Sequence, residues 1–167
     1  IVGRATVIDG DTFNIGGKRV RVFGIDPPER GQVCDYRGTK WLCGLKSALD
    51  LAELMGQAII VCRRRGKSYD RSVASCMKGP VNVGRWSVSK GLSIAATCES
   101  RSYVTEQERA RSAGTGIWSS TFVVPSVRRY EPQTPTRDSP AGCRQDSWLG
   151  LPSGRVAPTE SEIGTAS

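Results

Sequence analysis

GRATVIDGDTFNIGGKRVRVFGI, from Gly3 to Ile25, is the stretch on which the architecture turns. Read in two-residue steps it gives three strands, Ala5 to Ile8, Thr12 to Ile15 and Arg19 to Ile25. They are separated by Asp9-Gly10 and Gly16-Gly17, dipeptides that reverse a chain within a hairpin. In the third strand Val20, Val22 and Gly24 share one face while Arg19, Arg21 and Phe23 share the other, so the Arg21 side chain can project toward the acidic turns.

Working outward, Lys40 to Met55 carries Trp41, Leu42, Leu45, Ala48, Leu49, Ala52 and Met55 at the spacing of an amphipathic helix, with Thr39 placed to cap its start and Gly56 to stop it. Ala58 to Arg64 and Ser72 to Lys78 form a second hairpin, and Val81 to Lys90 a second helix closed by Gly91. Thr105 and Glu108 fit a capping box opening a short helix through Ser112, and Gly116-Ile117-Trp118 ends the compact part. Periodicity alone therefore gives an α+β fold in one domain over 1–127. From 128 to 167 the chain has five of its nine prolines, many Ser and Thr and no apolar period. That predicts an irregular tail, anchored at Cys143 and Trp148.

The formal charge is +8, and it is unevenly spread: residues 1–127 hold 19 Lys+Arg against 11 Asp+Glu, the tail 5 against 5. A basic body favours polyanionic partners, although a basic surface that merely keeps the protein soluble accounts for the charge equally well. Histidine is absent. That removes Ser-His-Asp and Cys-His triads, His-ligated metals and any nuclease scheme with a histidine base, and leaves carboxylates, Arg, Lys, Tyr or a metal to do the chemistry.

Six cysteines, Cys34, Cys43, Cys62, Cys76, Cys98 and Cys143, contain no C-x-x-C pair, so disulfides are expected rather than a zinc ribbon or a thioredoxin-like site. Cys62 and Cys76 are equally far from Tyr69, so a hairpin folded there sets them opposite each other. Cys34 with Cys43 then closes a short loop, and Cys98 with Cys143 ties the tail to the body. Three bridges imply an oxidising compartment. No membrane span or signal peptide is read, and a start at Ile1 without Met fits a mature chain whose leader has been removed, hence a secreted or periplasmic location.

Chemistry concentrates in Asp9-Gly10-Asp11-Thr12, Arg21, Asp26-Pro27-Pro28-Glu29 and Arg71. Carboxylates a turn apart supply the hard oxygens Ca²⁺ prefers, and guanidinium forks match phosphate oxygens. Taken singly, these residues have plainer roles. Asp9 and Asp11 could shape a hairpin, Asp26 could cap the turn before Pro27, and Glu29 could pair with Arg30 at the surface.

The strings VIDGDTFNI, VRVFGIDPPER, YDRSVASC and VNVGRWSVSKGLSIA, in this order and at these separations, resemble the staphylococcal nuclease (thermonuclease) family over about Val2 to Trp118. The resemblance implies a five-stranded OB-type β-barrel with about three helices. It implies Ca²⁺ held by Asp11, Asp26 and the backbone carbonyl of Pro27, with Asp9 and Thr12 beside the ion or its waters. Glu29 matches the general base, Arg21 and Arg71 the arginines that grip the scissile phosphate, and Tyr69 and Tyr103 tyrosines that line the nucleotide pocket. The activity implied is a calcium-dependent endonuclease that cuts DNA and RNA with little sequence preference and leaves 3′-phosphate ends; the chain is expected to act as a monomer. The alternative is a barrel of the same descent that binds nucleic acid or a protein without cutting. A third possibility is action on another phosphate ester or an acidic polysaccharide.

The chain departs from the family pattern in three places. Asp70 stands where the family usually has Gly. The loop from Arg30 to Gly44 differs in length, carries Cys34 and Cys43, and has only Arg30, Arg37 and Lys40 as basic residues. The tail after Arg129 has no counterpart. Arg63-Arg64-Arg65 with Lys67 reads equally as a nucleic-acid patch or as a solvated basic edge that discourages strand pairing.

Overall fold

The computed structural model describes residues 1–68, 71–126 and 155–158. Three strands leave the N-terminus as expected, β1 (Val2–Val7), β2 (Thr12–Ile15) and β3 (Lys18–Val22). The third run then breaks. Gly24 adopts a left-handed φ of 79°, and the ring of Tyr103 comes within 3.1 Å of where its β-carbon would be, so Ile25–Asp26 continues as a separate strand, β4.

A small hairpin of β5 (Cys34–Tyr36) and β6 (Thr39–Trp41) follows, stapled by the Cys34–Cys43 disulfide. It changes the first helix. Thr39 pairs with Tyr36 in the hairpin and caps nothing, so α1 runs Cys43–Met55 with Leu42 at its N-cap and no side-chain capping bond. Gly56 ends it at φ 49°, as expected. The buried face is also rotated from the predicted stripe: Gly44, Ser47, Ala48, Leu51 and Met55 face inward, while Leu42 and Leu49 are exposed. Small residues occupy that face because loop backbone packs directly against it.

The long hairpin β7 (Ile59–Ser68) and β8 (Arg71–Lys78) sets Cys62 opposite Cys76, and the two are bridged. A register shift between Arg64 and Gly66 leaves Arg65 as a bulge; its Nε donates to Ser75 Oγ at 3.0 Å and its guanidinium lies 5.8 Å from the Phe23 ring centroid. The rest of the body comprises β9 (Val81–Asn82), α2 (Val83–Ser89), β10 (Ile94–Ala95), α3 (Val104–Ser112), a 3₁₀ turn (Gly116–Ser119) and β11 (Phe122–Val123). Asn82 caps α2 by accepting from Arg85 N–H. The Thr105–Glu108 capping box does not form, because Tyr103 takes the N-cap of α3 and Glu106 in its first turn pairs with Arg85 at 2.7 Å.

Antiparallel pairings β1–β2, β2–β3, β1–β7 and β7–β8, with a parallel β3–β8 contact, close five strands into a mixed barrel. With three α-helices among the described residues, this is an α+β fold of the OB type. Phe13, Ile15, Val20, Val22, Ile25 and Ile60 fill it, and Leu51 and Met55 of α1 join them.

A second cluster gathers the Cys34–Cys43 bridge, Ile94, Ala110, Ile117, Trp118, Phe122 and Val124. Of the four tail residues described, two join this cluster's small sheet. Arg155–Val156 forms β12, antiparallel to β11, and buries Val156 in this cluster, because its apolar side chain completes the packing around Phe122. Cys143 and Trp148 lie outside the described residues. Cys98 is disulfide-bonded.

Candidate active site

The two acidic segments meet because one glycine lets them touch. The Ile8–Thr12 turn is closed by Ile8 and Asp9 amides donating to the Thr12 carbonyl at 2.8 and 3.0 Å. At its tip, a β-carbon on Gly10 would stand 2.7 Å from Pro27 Cβ and 2.6 Å from Ser47 Oγ, closer than real contacts allow. Only glycine fits between the Asp9–Asp11 turn, the Asp26–Pro27 loop and α1. Gly44 serves the other end of that loop. A β-carbon there would fall 1.7 Å from the Glu29 carbonyl oxygen, so the first turn of α1 sits directly on the backbone of Glu29. Arg30 ties the two segments from outside, its Nη1 donating to the Ile8 carbonyl at 2.7 Å.

Gln32 is 1 % exposed and holds the loop in shape. Its amide donates to the Glu29 carbonyl at 2.7 Å, its side-chain oxygen accepts from Glu29 N–H at 3.3 Å, and its Nε2 donates to the Val123 carbonyl at 2.6 Å.

Within this frame Asp11 and Asp26 are 5 % and 2 % exposed. Two carboxylates this buried need positive charge or donors nearby. Arg21, beside Thr12 in the β2–β3 register, meets the first: its Nε donates to Asp11 Oδ2 at 2.8 Å, while the Thr12 hydroxyl donates to Asp11 Oδ1 at 2.6 Å. Arg21 Nη2 reaches the Ile25 carbonyl at 3.2 Å and Nη1 the Glu99 carboxylate at 2.6 Å. Burial, the largest influence, lowers the Arg21 pKa, but the charges of Asp11 and Glu99 and their hydrogen bonds together outweigh it. The net shift is upward, so this guanidinium stays cationic at any working pH.

Arg71 opens β8. The parallel register sets Val73 beside Arg21, and strand alternation puts Arg71 on the same face two residues back, about 8 Å from Arg21 between α-carbons. Both arginines therefore belong to one outer face of the barrel. Glu29 is half-buried at the start of the Gln32-braced turn, and Asp9 accepts from the Gly10 amide at 2.8 Å.

Among the predicted site residues, the structure brings Asp9, Asp11, Thr12, Arg21, Asp26, Pro27 and Glu29 onto adjoining loops and strands. Tyr69 lies outside the described residues, as does Asp70. Tyr103 is misplaced as a pocket tyrosine. It is 4 % exposed in the barrel core, its ring against Gly24 and Gly84 and its hydroxyl donating to Asn82 Oδ1 at 3.2 Å, because α3 starts there and drives the ring inward. Glu99 was not foreseen. It lies in a short loop after β10 with no periodicity to mark it, and only the folded contact to Arg21 reveals it.

The donor set fits a hard divalent cation in kind: Asp11 and Asp26 carboxylates, with the Pro27 carbonyl next in the chain. Among the described residues no group of three or more Cys, Asp or Glu side chains gathers as a metal cluster, so any cation there would rely on backbone carbonyl and water to complete its shell.

No family model matches the chain. It is similar to the succinoglycan biosynthesis protein ExoI of Rhizobium meliloti (strain 1021), with 38% identity over 123 residues, which is 71% of this chain and 64% of that protein. The chain thus spans under two thirds of its relative.

Proposed function

We propose that this protein is a calcium-dependent phosphodiesterase that hydrolyses DNA and RNA with little sequence preference and leaves 3′-phosphate ends, a member of the staphylococcal nuclease family. The observation that carries the proposal is the packing of the Asp9–Asp11 turn on the Asp26–Pro27 loop through Gly10, with Arg21 hydrogen-bonded to Asp11. An acidic pair and an arginine are fixed in one place before any ligand arrives, which is the preorganisation phosphoryl chemistry needs.

In this scheme Asp11, Asp26 and the Pro27 carbonyl would hold Ca²⁺, with Asp9 and Thr12 beside it or its waters. Calcium would supply charge neutralisation for the phosphate. Glu29, on a turn braced by Gln32, accepts the proton of the attacking water. Arg21 and Arg71, on one face of the sheet, donate to the equatorial oxygens and neutralise charge that grows as the phosphorus becomes five-coordinate. Arginine suits both positions because its fork meets two oxygens at once.

Two described disulfides, Cys34–Cys43 and Cys62–Cys76, favour work in an oxidising compartment, secreted or periplasmic. Among the described residues no helix is long and apolar enough to cross a membrane. A second reading draws on the relative, which is named for succinoglycan biosynthesis: the same site would then act on a phosphate ester formed while a polysaccharide is made.

A fluorescent single-stranded DNA, incubated with the protein and Ca²⁺ and again with excess chelator, tests the proposal. Cleavage that chelation abolishes supports it; DNA retained intact under both conditions identifies a binding module instead. Running saccharide phosphate esters in parallel separates the two hydrolytic readings.

A further inference from the structure

Every nitrogen of the Arg21 guanidinium already donates to oxygen: Nε to Asp11, Nη2 to the Ile25 carbonyl, Nη1 to Glu99 Oε1 at 2.6 Å. The first two bonds orient the fork. The third occupies a donor that an incoming phosphate needs. Glu99 is itself held on both oxygens, since Oε2 accepts from the Gly24 amide at 3.0 Å. Its loop is docked by Ala96 N–H on the Gly24 carbonyl at 2.9 Å and closed by Glu99 and Ser100 amides on the Ala96 carbonyl. This carboxylate is placed, with two oxygens set against an arginine and a backbone amide as phosphate oxygens would be.

We propose that Glu99 is an internal stand-in for phosphate on Arg21, and that its displacement sets how tightly the site takes phosphoryl ligands. The proposal rests on the reading of Arg21 as a phosphate receptor and adds a residue that the receptor must release. Exposure decides which partner leaves. The Glu99 side chain is 33% exposed and has solvent to swing into, whereas the Asp11 side chain is 8% exposed and braced by Thr12. A phosphate approaching Nη1 meets repulsion from Glu99 until that side chain moves, and the same exposure keeps the cost of moving it modest. Glu99 thereby acts as a specificity-determining residue: a ligand whose phosphoryl oxygens can replace its bond to Arg21 is admitted, and one that cannot replace it is not.

The test is calorimetric titration of inorganic pyrophosphate into the full chain without calcium, for the wild type, Glu99→Gln, Glu99→Asp and Arg21→Lys, with thermal melts as the folding control. Glu99→Gln is expected to bind pyrophosphate about three- to tenfold more tightly, because a neutral amide competes less well for the guanidinium. Glu99→Asp, too short to span Arg21 and Gly24 together, should fall between it and the wild type, and serves as the measure if the glutamine variant does not fold. Equal or weaker binding by the Glu99 variants, with binding still lost in Arg21→Lys, overturns the Glu99 inference alone. Absence of pyrophosphate binding in every variant, the glutamine form included, overturns the phosphate reading of Arg21 as well.

Discussion

Gly10→Ala is the smallest change that should separate the two acidic segments. The added methyl would sit 2.6 Å from Ser47 Oγ and 2.7 Å from Pro27 Cβ. Ser47 can rotate its hydroxyl away, but Pro27 is a ring in a buried loop and has no rotamer to retreat into. Overpacking of this kind costs about 1–3 kcal/mol, offset by about 0.4–1 kcal/mol because alanine restricts the unfolded chain more than glycine does. The net loss, at most about 2.6 kcal/mol and centred on about 1.3 kcal/mol, lowers the melting temperature by about 3–5 °C at that centre for a domain of this size.

The functional loss should exceed the structural one, since relief of the clash must move the Asp11 turn from the Asp26 loop, and a displacement of about 1 Å in a preorganised site costs about a hundredfold in rate. The assay pairs urea denaturation with calcium-dependent cleavage of single-stranded DNA. Gly31→Ala is the control, for its β-carbon would meet nothing within 4 Å in the same loop region, and it should change stability by less than about 0.5 kcal/mol. If Gly10→Ala matches Gly31→Ala in both stability and cleavage, the idea that glycine joins the acidic segments is wrong.

Replacing Arg21 by Ala leaves Asp11, 5 % exposed, without its cation, and should destabilise the fold by about 2–4 kcal/mol in denaturant titrations, with the loss shrinking in Asp11→Asn/Arg21→Ala. Arg71→Lys should lower kcat far more than it raises KM, since a single ammonium cannot meet two equatorial oxygens; equal losses in both would show that Arg71 only binds. Removing the Cys62–Cys76 bridge, which spans 14 residues, should cost about 3 kcal/mol in a Cys62→Ala/Cys76→Ala double variant, read from the shift in urea midpoint. Tyr103→Phe should lose about 1 kcal/mol with its hydrogen bond to Asn82 and leave cleavage intact; a fall in cleavage without a fall in stability would return Tyr103 to the pocket.

The parts of the fold visible in the sequence were those set by local chemistry. Asp9-Gly10 and Gly16-Gly17 mark the first turns, and equal spacing about Tyr69 gives the Cys62–Cys76 pairing that the barrel contains. The closing β3–β8 contact is parallel and joins residues some fifty positions apart, so nothing local announces it, and it came only with the family resemblance. The start of α1 is not legible locally, because Thr39 looks like a cap until the Cys34–Cys43 staple commits it to a hairpin. Its buried face differs from the apolar stripe because Gly44 and Ser47 are inward for reasons of backbone clearance, which hydrophobic periodicity does not measure. In the site, the carboxylates and arginines stood out by motif, while Gln32, Glu99 and the clearance at Gly10 exist only as relations between distant segments.

The β11–β12 pairing has a practical bearing on anyone who makes this protein. A boundary drawn where the composition changes, near residue 128, would discard Val156 and strip β11 of its only partner strand among the described residues. Trp118 and Phe122, packed edge to face at 5.4 Å, would then gain an open side, and an unpaired strand edge next to bared aromatic rings invites self-association. Expression trials should therefore keep the chain through Pro158, and a shortened version that precipitates would report on this lost seam before it said anything of the barrel.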